Sequence, residues 1–248
     1  MLGDRLKSRS VDAVGDHSNR WVGLVLQSVR ARMLRRYSYD RAEMLERAVD
    51  RLSRARAPRL FSVLWTDAIF GWGNERWTAE APYLSEVVRA AEKSRSSILE
   101  CGSGLTTLLM GAIASRRGIQ LHSLEHNPDW YARVTAAVEG FGLTNVTVHL
   151  APLKDFGSFD WYDVPLDHLP NDFSLVVCDG PPGVTRGGRS GMLPTMRGKM
   201  AKDFSILIDD TNRDGEGQLA QQWVSELKAS LGRHGGGRGF ARIVVREN

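Results

Sequence analysis

The stretch that decides the fold is LECGSGLTT, residues Leu99–Thr107. A short apolar run at Ser97–Glu100 leads into its glycines, and a helical pattern over Thr106–Arg117 follows them. This order predicts a strand, a glycine turn and a helix. Glycine lets a ligand approach the backbone closely, and a helix N-terminus attracts anions. The segment therefore predicts a cofactor site at the carboxyl end of a strand.

The alternation of strands and helices continues to the end of the chain and predicts an α/β fold. Parallel strands joined by helices form a Rossmann-like, doubly wound, mostly parallel sheet with helices on both faces. Only one strand is clear after the last helix, which favours a shortened final hairpin. The further predicted strands are Gln120–Glu125, Val146–Leu150, Ser174–Cys178, Ser205–Ile208 and Ala241–Val245, and the further helices are Pro128–Phe141 and Gly217–Leu231.

Charge separates the N-terminal quarter from the rest of the chain. Residues 1–60 contain 14 Lys and Arg against 7 Asp and Glu, whereas the remainder contains 19 against 22. Apolar residues recur at helical spacing between residues 21 and 56. We therefore predict a basic N-terminal helical extension over residues 1–58, which acts as a lid or an oligomerisation arm, and an α/β domain over residues 59–248.

Composition excludes several classes of protein. The 248 residues are 42% hydrophobic and 25% charged, and they include only two cysteines, Cys101 and Cys178. This composition is typical of a globular domain, and two cysteines cannot form a disulfide framework. The start of the chain lacks the apolar run of a signal peptide, and no apolar stretch approaches the roughly 20 residues that span a bilayer. We therefore expect a soluble cytoplasmic protein without a membrane partner.

Two classes of cofactor compete for the glycine turn. A dinucleotide site favours G-x-G-x-x-G, whose third glycine would fall at Thr107. It also favours an apolar residue where this chain has Glu100, and a carboxylate there suits a cofactor with a cationic amino-acid end. The next predicted strand ends in Glu125, 23 residues after Gly102. That distance is typical of a carboxylate that accepts hydrogen bonds from ribose hydroxyls.

On these residues the chain resembles the class I S-adenosylmethionine-dependent methyltransferases, over about residues 97–248. The resemblance implies S-adenosylmethionine as the cofactor. It places Glu100 at the methionine amino group, Glu125 at the ribose and Leu153 beside the adenine. The cofactor-binding residues that it implies are Glu100, Gly102, Ser103, Gly104, Thr107, Glu125, His126, Leu153 and Asp179.

Acidic residues close the next two predicted strands. Asp179 follows one of them, and Asp209 and Asp210 follow the other. The carboxyl ends of neighbouring parallel strands meet at one edge of the sheet, so we expect these carboxylates to converge. Because adjacent residues of a strand face opposite ways, we expect only one of Asp209 and Asp210 to enter the cleft.

Three carboxylates without histidine or cysteine suit a hard divalent cation, and Mg²⁺ is the first candidate. With Asp179, Asp209 and Asp210 as metal ligands, the chain is similar to metal-dependent O-methyltransferases, particularly those of the macrocin O-methyltransferase type. A bound metal would hold substrate hydroxyls and lower the pKa of one of them. The alternative is that Asp179 acts directly as the general base. Asp209 and His168 are the other catalytic candidates.

The resemblance implies methyl transfer to a small molecule, by O-methylation of a hydroxyl on a hydroxylated or anionic acceptor. The alternative is methylation of RNA or another macromolecule that the basic N-terminal helices grip. Acidic residues are interleaved with these basic ones, so we do not expect a nucleic-acid partner. A homo-oligomer held by the N-terminal helices is a further hypothesis.

Two loops complete the prediction. Val184–Met200 is a long loop with several glycines and basic residues, and long loops at strand ends often form lids. We expect Arg186 or Arg189 to contact an anionic or polyhydroxyl substrate, and the alternative is a solvated loop. Residues 59–80 contain five aromatic residues interrupted by Gly71 and Gly73, which predicts a packed loop.

Overall fold

A computed structural model of the chain describes residues 40–55, 63–74, 77–234 and 237–246. From Arg41 onward the chain forms one compact unit. Most of the predicted N-terminal extension and its boundary at residue 58 lie outside the described residues, so the lid or oligomerisation arm stays a prediction. None of the helices in the described part is long and apolar enough to cross a membrane.

The strands of this unit form one large sheet and one small hairpin. They are β1 (Ile98–Cys101), β2 (Leu121–Glu125), β3 (Val146–Leu150), β4 (Leu153–Asp155), β5 (Asp160–Tyr162), β6 (Phe173–Cys178), β7 (Met200–Asp209), β8 (Ser230–His234) and β9 (Phe240–Val245). The large sheet has the order β3-β2-β1-β6-β7-β9-β8, and β4 pairs with β5. The first five strands of that order are parallel, and β9 is antiparallel to both of its neighbours. The predicted Rossmann-like, doubly wound fold is confirmed.

Helices cover both faces of the sheet. They are α1 (Arg41–Arg54), α2 (Val63–Trp72), α3 (Ala81–Lys93), α4 (Leu105–Arg117), α5 (Pro128–Gly140), α6 (Met192–Met196) and α7 (Asp214–Leu227). Apolar residues of α1 to α5 share one core, whereas α6, α7 and the β4–β5 hairpin share the other. Successive strand residues alternate between the two cores, as Ile98 and Leu99 do in β1. The helices therefore cover the faces of the sheet, and ligands of such folds bind beyond the carboxyl ends of the parallel strands.

The predicted packed loop over residues 59–80 is wrong, because α2 occupies much of it. This helix is apolar on most sides and buries Leu64, Trp65 and Trp72, so its sequence lacks the polar stripe that marks a surface helix. Gly71 suggested a break, yet it lies inside the helix at a close approach to α1. A Cβ atom on Gly71 would lie 2.5 Å from the backbone nitrogen of Leu45.

The final hairpin is complete, so the expectation of a shortened one is wrong. Helix α7 ends at Leu227 and not at residue 231, because Lys228 adopts a left-handed conformation with φ 50°. The chain then forms β8, which pairs with β9 alone and leaves most of its side chains exposed. An exposed edge strand needs few apolar residues, which is why its glycine-rich sequence resembled a loop.

The predicted lid loop Val184–Met200 contains α6 and packs against the β4–β5 hairpin. The backbone N–H of Asp160 donates to the carbonyl oxygen of Arg186 at 3.0 Å. The Arg186 guanidinium pairs with the carboxylates of Asp155 and Asp160. The loop and the hairpin therefore form one ordered wall beside the end of β6, and Arg186 is engaged with the hairpin.

Candidate active site

The glycine turn after β1 lies directly against the turn after β6. Gly102 has φ +90°, and a Cβ atom there would lie 2.8 Å from the backbone nitrogen of Gly180. The backbone N–H groups of Asp179 and Gly180 both donate to the Cys101 carbonyl oxygen, at 3.0 and 2.6 Å. Glycine is required at Gly102 because other residues seldom adopt this φ and because no side chain fits the contact. The predicted cofactor turn at Gly102 is therefore an immediate neighbour of Asp179.

Glu100 is a fully buried carboxylate with one unsatisfied oxygen. Its Oε2 accepts hydrogen bonds from Thr107 Oγ1 at 2.5 Å and from Ser123 Oγ at 2.6 Å. Its Oε1 has no hydrogen-bond partner within the described residues. Burial raises the pKa of Glu100 to about 7, against hydrogen bonds from neighbouring hydroxyls, Ser123 first, that lower it. A buried acceptor without a donor is uncommon in folded proteins and suggests that a ligand supplies one.

Thr107 supports Glu100 and the glycine turn at once. Its hydroxyl donates to Glu100 and accepts from the Gly104 N–H at 2.8 Å. The Thr107 side chain is buried, so the structure places this predicted cofactor-binding residue behind the turn. A Cβ atom on Gly104 would meet no atom within 4 Å, which means that the turn borders open space on its outer side.

Glu125 closes β2 and is held by the glycine turn. Its Oε2 accepts from the backbone N–H and the hydroxyl of Ser103, at 3.1 and 2.8 Å. Its Oε1 accepts from the Asn127 N–H at 2.8 Å and lies 3.2 Å from His126 Nδ1. Burial would raise the pKa of Glu125, but the contacts from His126, Asn127 and Ser103 outweigh it, so the pKa is lowered. The side chain therefore stays ionised and keeps the acceptor character that a ribose requires.

Two further side chains border the turn without having been predicted. The indole N–H of Trp130 donates to the Ser103 carbonyl oxygen at 2.7 Å. The hydroxyl of Tyr162 is buried, has no hydrogen-bond partner in the described ranges, and lies against Gly180. The predicted adenine neighbour Leu153 lies in β4 and packs against the core that contains Tyr162. Long-range packing creates these contacts, and no local motif signals them.

The three predicted aspartates converge as expected. One carboxylate oxygen from each of Asp179, Asp209 and Asp210 lies within 4.8 Å of the others. We expected only one of Asp209 and Asp210 to enter the cleft, and both of them join this cluster as buried side chains. Strand β7 ends at Asp209, and Asp210 follows in a left-handed conformation with φ 61°. The alternation of a strand therefore no longer applies at Asp210, and both carboxylates reach the same place.

Arg189 is a buried cation inside this acidic cluster. Its Nη2 donates to Asp210 Oδ2 at 3.1 Å and lies 3.3 Å from Asp179 Oδ1. Its guanidinium also donates to the carbonyl oxygens of Cys178, Asp179 and Asp209, at 3.2, 2.8 and 2.6 Å. The Arg189 side chain is 1% exposed. The predicted contact between Arg189 and a substrate does not fit this structure, because the side chain is buried and its Nη1 and Nη2 groups face the aspartates and the strand-end carbonyls.

The three carboxyl groups of the cluster differ in their electrostatics and in their exposure. Burial, followed by the charges of Asp179 and Asp210, raises the pKa of Asp209 to about 8. Burial also raises the pKa of Asp179, although the Arg189 charge lowers it. The Asp179 side chain is 29% exposed, whereas Asp209 and Asp210 are buried. Asp179 is therefore the member that a substrate can reach.

The structure does not bring His168 to the aspartates. It ends a 3₁₀ turn at Leu166–His168, and its side chain is 70% exposed. Its Nε2 lies 4.0 Å from Asp167 Oδ2. The cluster that borders the cofactor turn therefore consists of Asp179, Asp209, Asp210 and Arg189.

Solved methyltransferase structures share this fold. The SAH-bound Podospora anserina methyltransferase PaMTH1 matches with a TM-score of 0.54 and 14% identity over 83% of this chain and 96% of its own. The Bacillus cereus O-methyltransferase in complex with SAH matches with a TM-score of 0.53 and 14% identity over 79% and 96%. The precorrin-6y C5,15-methyltransferase of Geobacter metallireducens matches with a TM-score of 0.52 and 13% identity over 70% of this chain and 92% of its own. No protein-family model and no curated protein sequence matches the chain. The chain thus shares the Rossmann-like fold of these methyltransferases.

Proposed function

We propose that this protein is an S-adenosylmethionine-dependent methyltransferase that methylates a hydroxyl group of a small molecule. The observation that carries the proposal is the pair of hydrogen bonds from Asp179 and Gly180 to the Cys101 carbonyl oxygen. These hydrogen bonds fix the partly exposed carboxylate of Asp179 beside the Gly102 turn. Two further carboxylates, those of Glu100 and Glu125, flank that turn. This juxtaposition provides a cofactor cradle and a proton acceptor at one sheet edge, as methyl transfer requires.

The residues of the cradle fit the cofactor. Glu100 Oε1 is a buried acceptor that finds no donor among the residues the structure describes, and a cationic amino group would satisfy it. Glu125 is an ionised acceptor at the end of the adjacent strand, suited to ribose hydroxyls. When bound, the cofactor supplies an electrophilic methyl group. His126, partly exposed beside Glu125, and the backbone of Ser103 complete the proposed lining.

Asp179 is the proposed proton acceptor. Its carboxylate is the exposed one of the cluster, and Arg189 holds one of its two oxygens. The other oxygen would take the proton of the acceptor hydroxyl. A bound cofactor would supply the methyl group to the hydroxyl oxygen, lose its bond from sulfur to the methyl carbon and leave as the neutral thioether S-adenosylhomocysteine. Asp209, with a pKa near 8, is largely protonated at neutral pH, so it is the weaker candidate for the base.

Magnesium stays a prediction, and the geometry weighs against it. Three carboxylates are the donor set that a hard cation prefers. However, Asp179 Oδ1 and Asp210 Oδ2 already face Nη2 of the same buried guanidinium, at 3.3 and 3.1 Å. A divalent cation that bridged these two oxygens would lie against another positive charge. The two oxygens that Arg189 contacts therefore do not fit such a cation, and the proposed proton transfer needs none.

Binding of S-adenosylhomocysteine, measured by calorimetry, tests the proposal. We expect wild-type protein to bind it, and Glu125→Gln to bind it about tenfold or more weakly, because a hydrogen bond to a charged group contributes about 1.5–3 kcal/mol. Glu139→Gln is the matched control, since Glu139 is an exposed residue of α5. Absence of binding to the wild type would reject the methyltransferase proposal, and equal affinities of the two variants would reject the role of Glu125.

The class of acceptor needs a separate measurement. Methyl-labelled S-adenosylmethionine is incubated with the protein and with either a mixture of hydroxylated small molecules or total RNA. We expect label in the small-molecule fraction, in base-stable ether linkage. Label in RNA alone would favour the alternative in which the basic residues before Asp40 grip phosphate.

A further inference from the structure

We infer that Arg189 is the resident cation of the acidic cluster and takes the place that a divalent cation has in the metal-dependent O-methyltransferases that the sequence resembles. The inference rests on the proposed methyl transfer at Asp179. It makes Arg189 a positioning residue, because its side chain is 1% exposed and acts on a substrate only through the carboxylate that it holds.

The guanidinium is built into the sheet edge. Nη1 donates to the carbonyl oxygens of Cys178 and Asp209, and Nη2 donates to that of Asp179. These carbonyls belong to the ends of the neighbouring strands β6 and β7, so the guanidinium joins the two strands where the cluster begins. Arginine keeps its charge at any pH a protein survives, which makes this a permanent cation.

Nη2 of Arg189 also lies between the carboxylates of Asp179 and Asp210. Nη2 lies 3.3 Å from Asp179 Oδ1 and 3.1 Å from Asp210 Oδ2. A magnesium ion binds carboxylate oxygens at about 2.1 Å, so an ion shared by these two oxygens would be pressed against Nη2. A metal can enter between them only if Arg189 leaves, and leaving breaks its bonds to three carbonyl groups as well.

A second arginine, Arg213, also pairs with the carboxylate of Asp210. Arg213 Nη1 lies 3.0 Å from Asp210 Oδ2, the oxygen that Arg189 also contacts. Asp210 is therefore held from two sides by cations of this chain. Asp179 is contacted by Arg189 but not by Arg213, and its side chain stays partly exposed. The arrangement orients the proposed base without a metal.

Titration with Mn²⁺, followed by electron paramagnetic resonance, tests the inference without an activity assay. We expect no saturable Mn²⁺ binding to wild-type protein, and saturable binding to Arg189→Ala, in which the carboxylates lose their cation. Any weak Mn²⁺ binding by the wild type should be at least about tenfold weaker than that of Arg189→Ala, equivalent to about 1.4 kcal/mol. Arg189→Lys is the matched control and should not gain the site, because it keeps a positive charge. A purely structural arginine would not create a metal site when removed.

Three outcomes would overturn the inference. They are Mn²⁺ binding to the wild type that Asp179→Asn abolishes, a folded Arg189→Ala that binds no Mn²⁺, and equal gains in the alanine and lysine variants. If Arg189→Ala does not fold alone, added Mn²⁺ must restore its cooperative thermal transition, and failure to do so also overturns it. Titration of the wild type with S-adenosylhomocysteine reports separately on the proposed function.

Discussion

Replacing Glu100 by glutamine removes a charge that the fold buries completely while it keeps the shape of the side chain. The pKa of Glu100 rises from 4.5 to about 7 on folding. Between these values the native state binds more protons than the unfolded state, so the free energy of unfolding falls as the pH rises. The glutamine variant lacks this dependence. Integrated between pH 5 and pH 8, the difference corresponds to about 2.5 kcal/mol.

Urea denaturation of both proteins at pH 5 and pH 8 measures this difference. We expect Glu100→Gln to gain about 2–3 kcal/mol relative to wild type on going from pH 5 to pH 8. The other titrating carboxylates are common to both proteins and cancel in the comparison. A difference that stays constant, or that moves in the opposite direction, would show that Glu100 is not held neutral by its burial.

The same substitution is expected to act in the opposite direction on the cofactor. Glu100 Oε1 has no donor among the described residues, and the proposed donor is the amino group of the cofactor. At pH 8, Glu100→Gln should weaken binding of S-adenosylhomocysteine about tenfold or more, since a charged hydrogen bond contributes about 1.5–3 kcal/mol. A variant that gains stability and keeps full affinity would refute the assignment of Glu100 to the amino group.

Two further substitutions test the turn and its surroundings. Gly102→Ala should lower the free energy of unfolding by about 1–3 kcal/mol and weaken S-adenosylhomocysteine binding, because φ is +90° and the Gly180 backbone blocks a Cβ atom. Gly140→Ala is the control, since a Cβ atom there would meet no atom within 4 Å. Equal free energies of unfolding for the two variants would contradict the close contact at Gly102. Tyr162→Phe should leave the free energy of unfolding unchanged or raise it, because the buried hydroxyl lacks a partner in the described part of the chain; a loss of about 1 kcal/mol or more in chemical denaturation would reveal a hydrogen bond of that hydroxyl.

Local sequence was sufficient to predict the glycine turn between the first strand and the helix that follows it. The glycines of residues 102–104 and the acidic residues Glu100 and Glu125 stand at strand ends, where a short stretch of chain determines both backbone and chemistry. Helix α2 was missed for the opposite reason. Its glycine permits a close helix–helix contact with α1, and a contact between elements is not encoded in the spacing of either one.

The acidic cluster was predictable as a set of residues but not as an electrostatic unit. Parallel strand order brings Asp179 and Asp209 together, and that order follows from the alternation of strands and helices. The left-handed turn at Asp210 carries a non-glycine residue, so no glycine in the sequence signals it. Arg189 lies in a long loop, where an arginine is ordinarily solvated, and only the tertiary structure shows that it is buried.

The hydrogen bonds between the Gly102 turn and the turn at residues 179–180 couple the proposed cofactor site to the acidic cluster. Cys101 at the end of β1 accepts from the backbone of Asp179 and Gly180, and Arg189 binds the carbonyl of the same Asp179. A displacement of Arg189 would therefore be transmitted through one peptide unit to the backbone that borders Gly102. The fold thus fixes the backbone of the proposed base against the Gly102 turn by main-chain contacts.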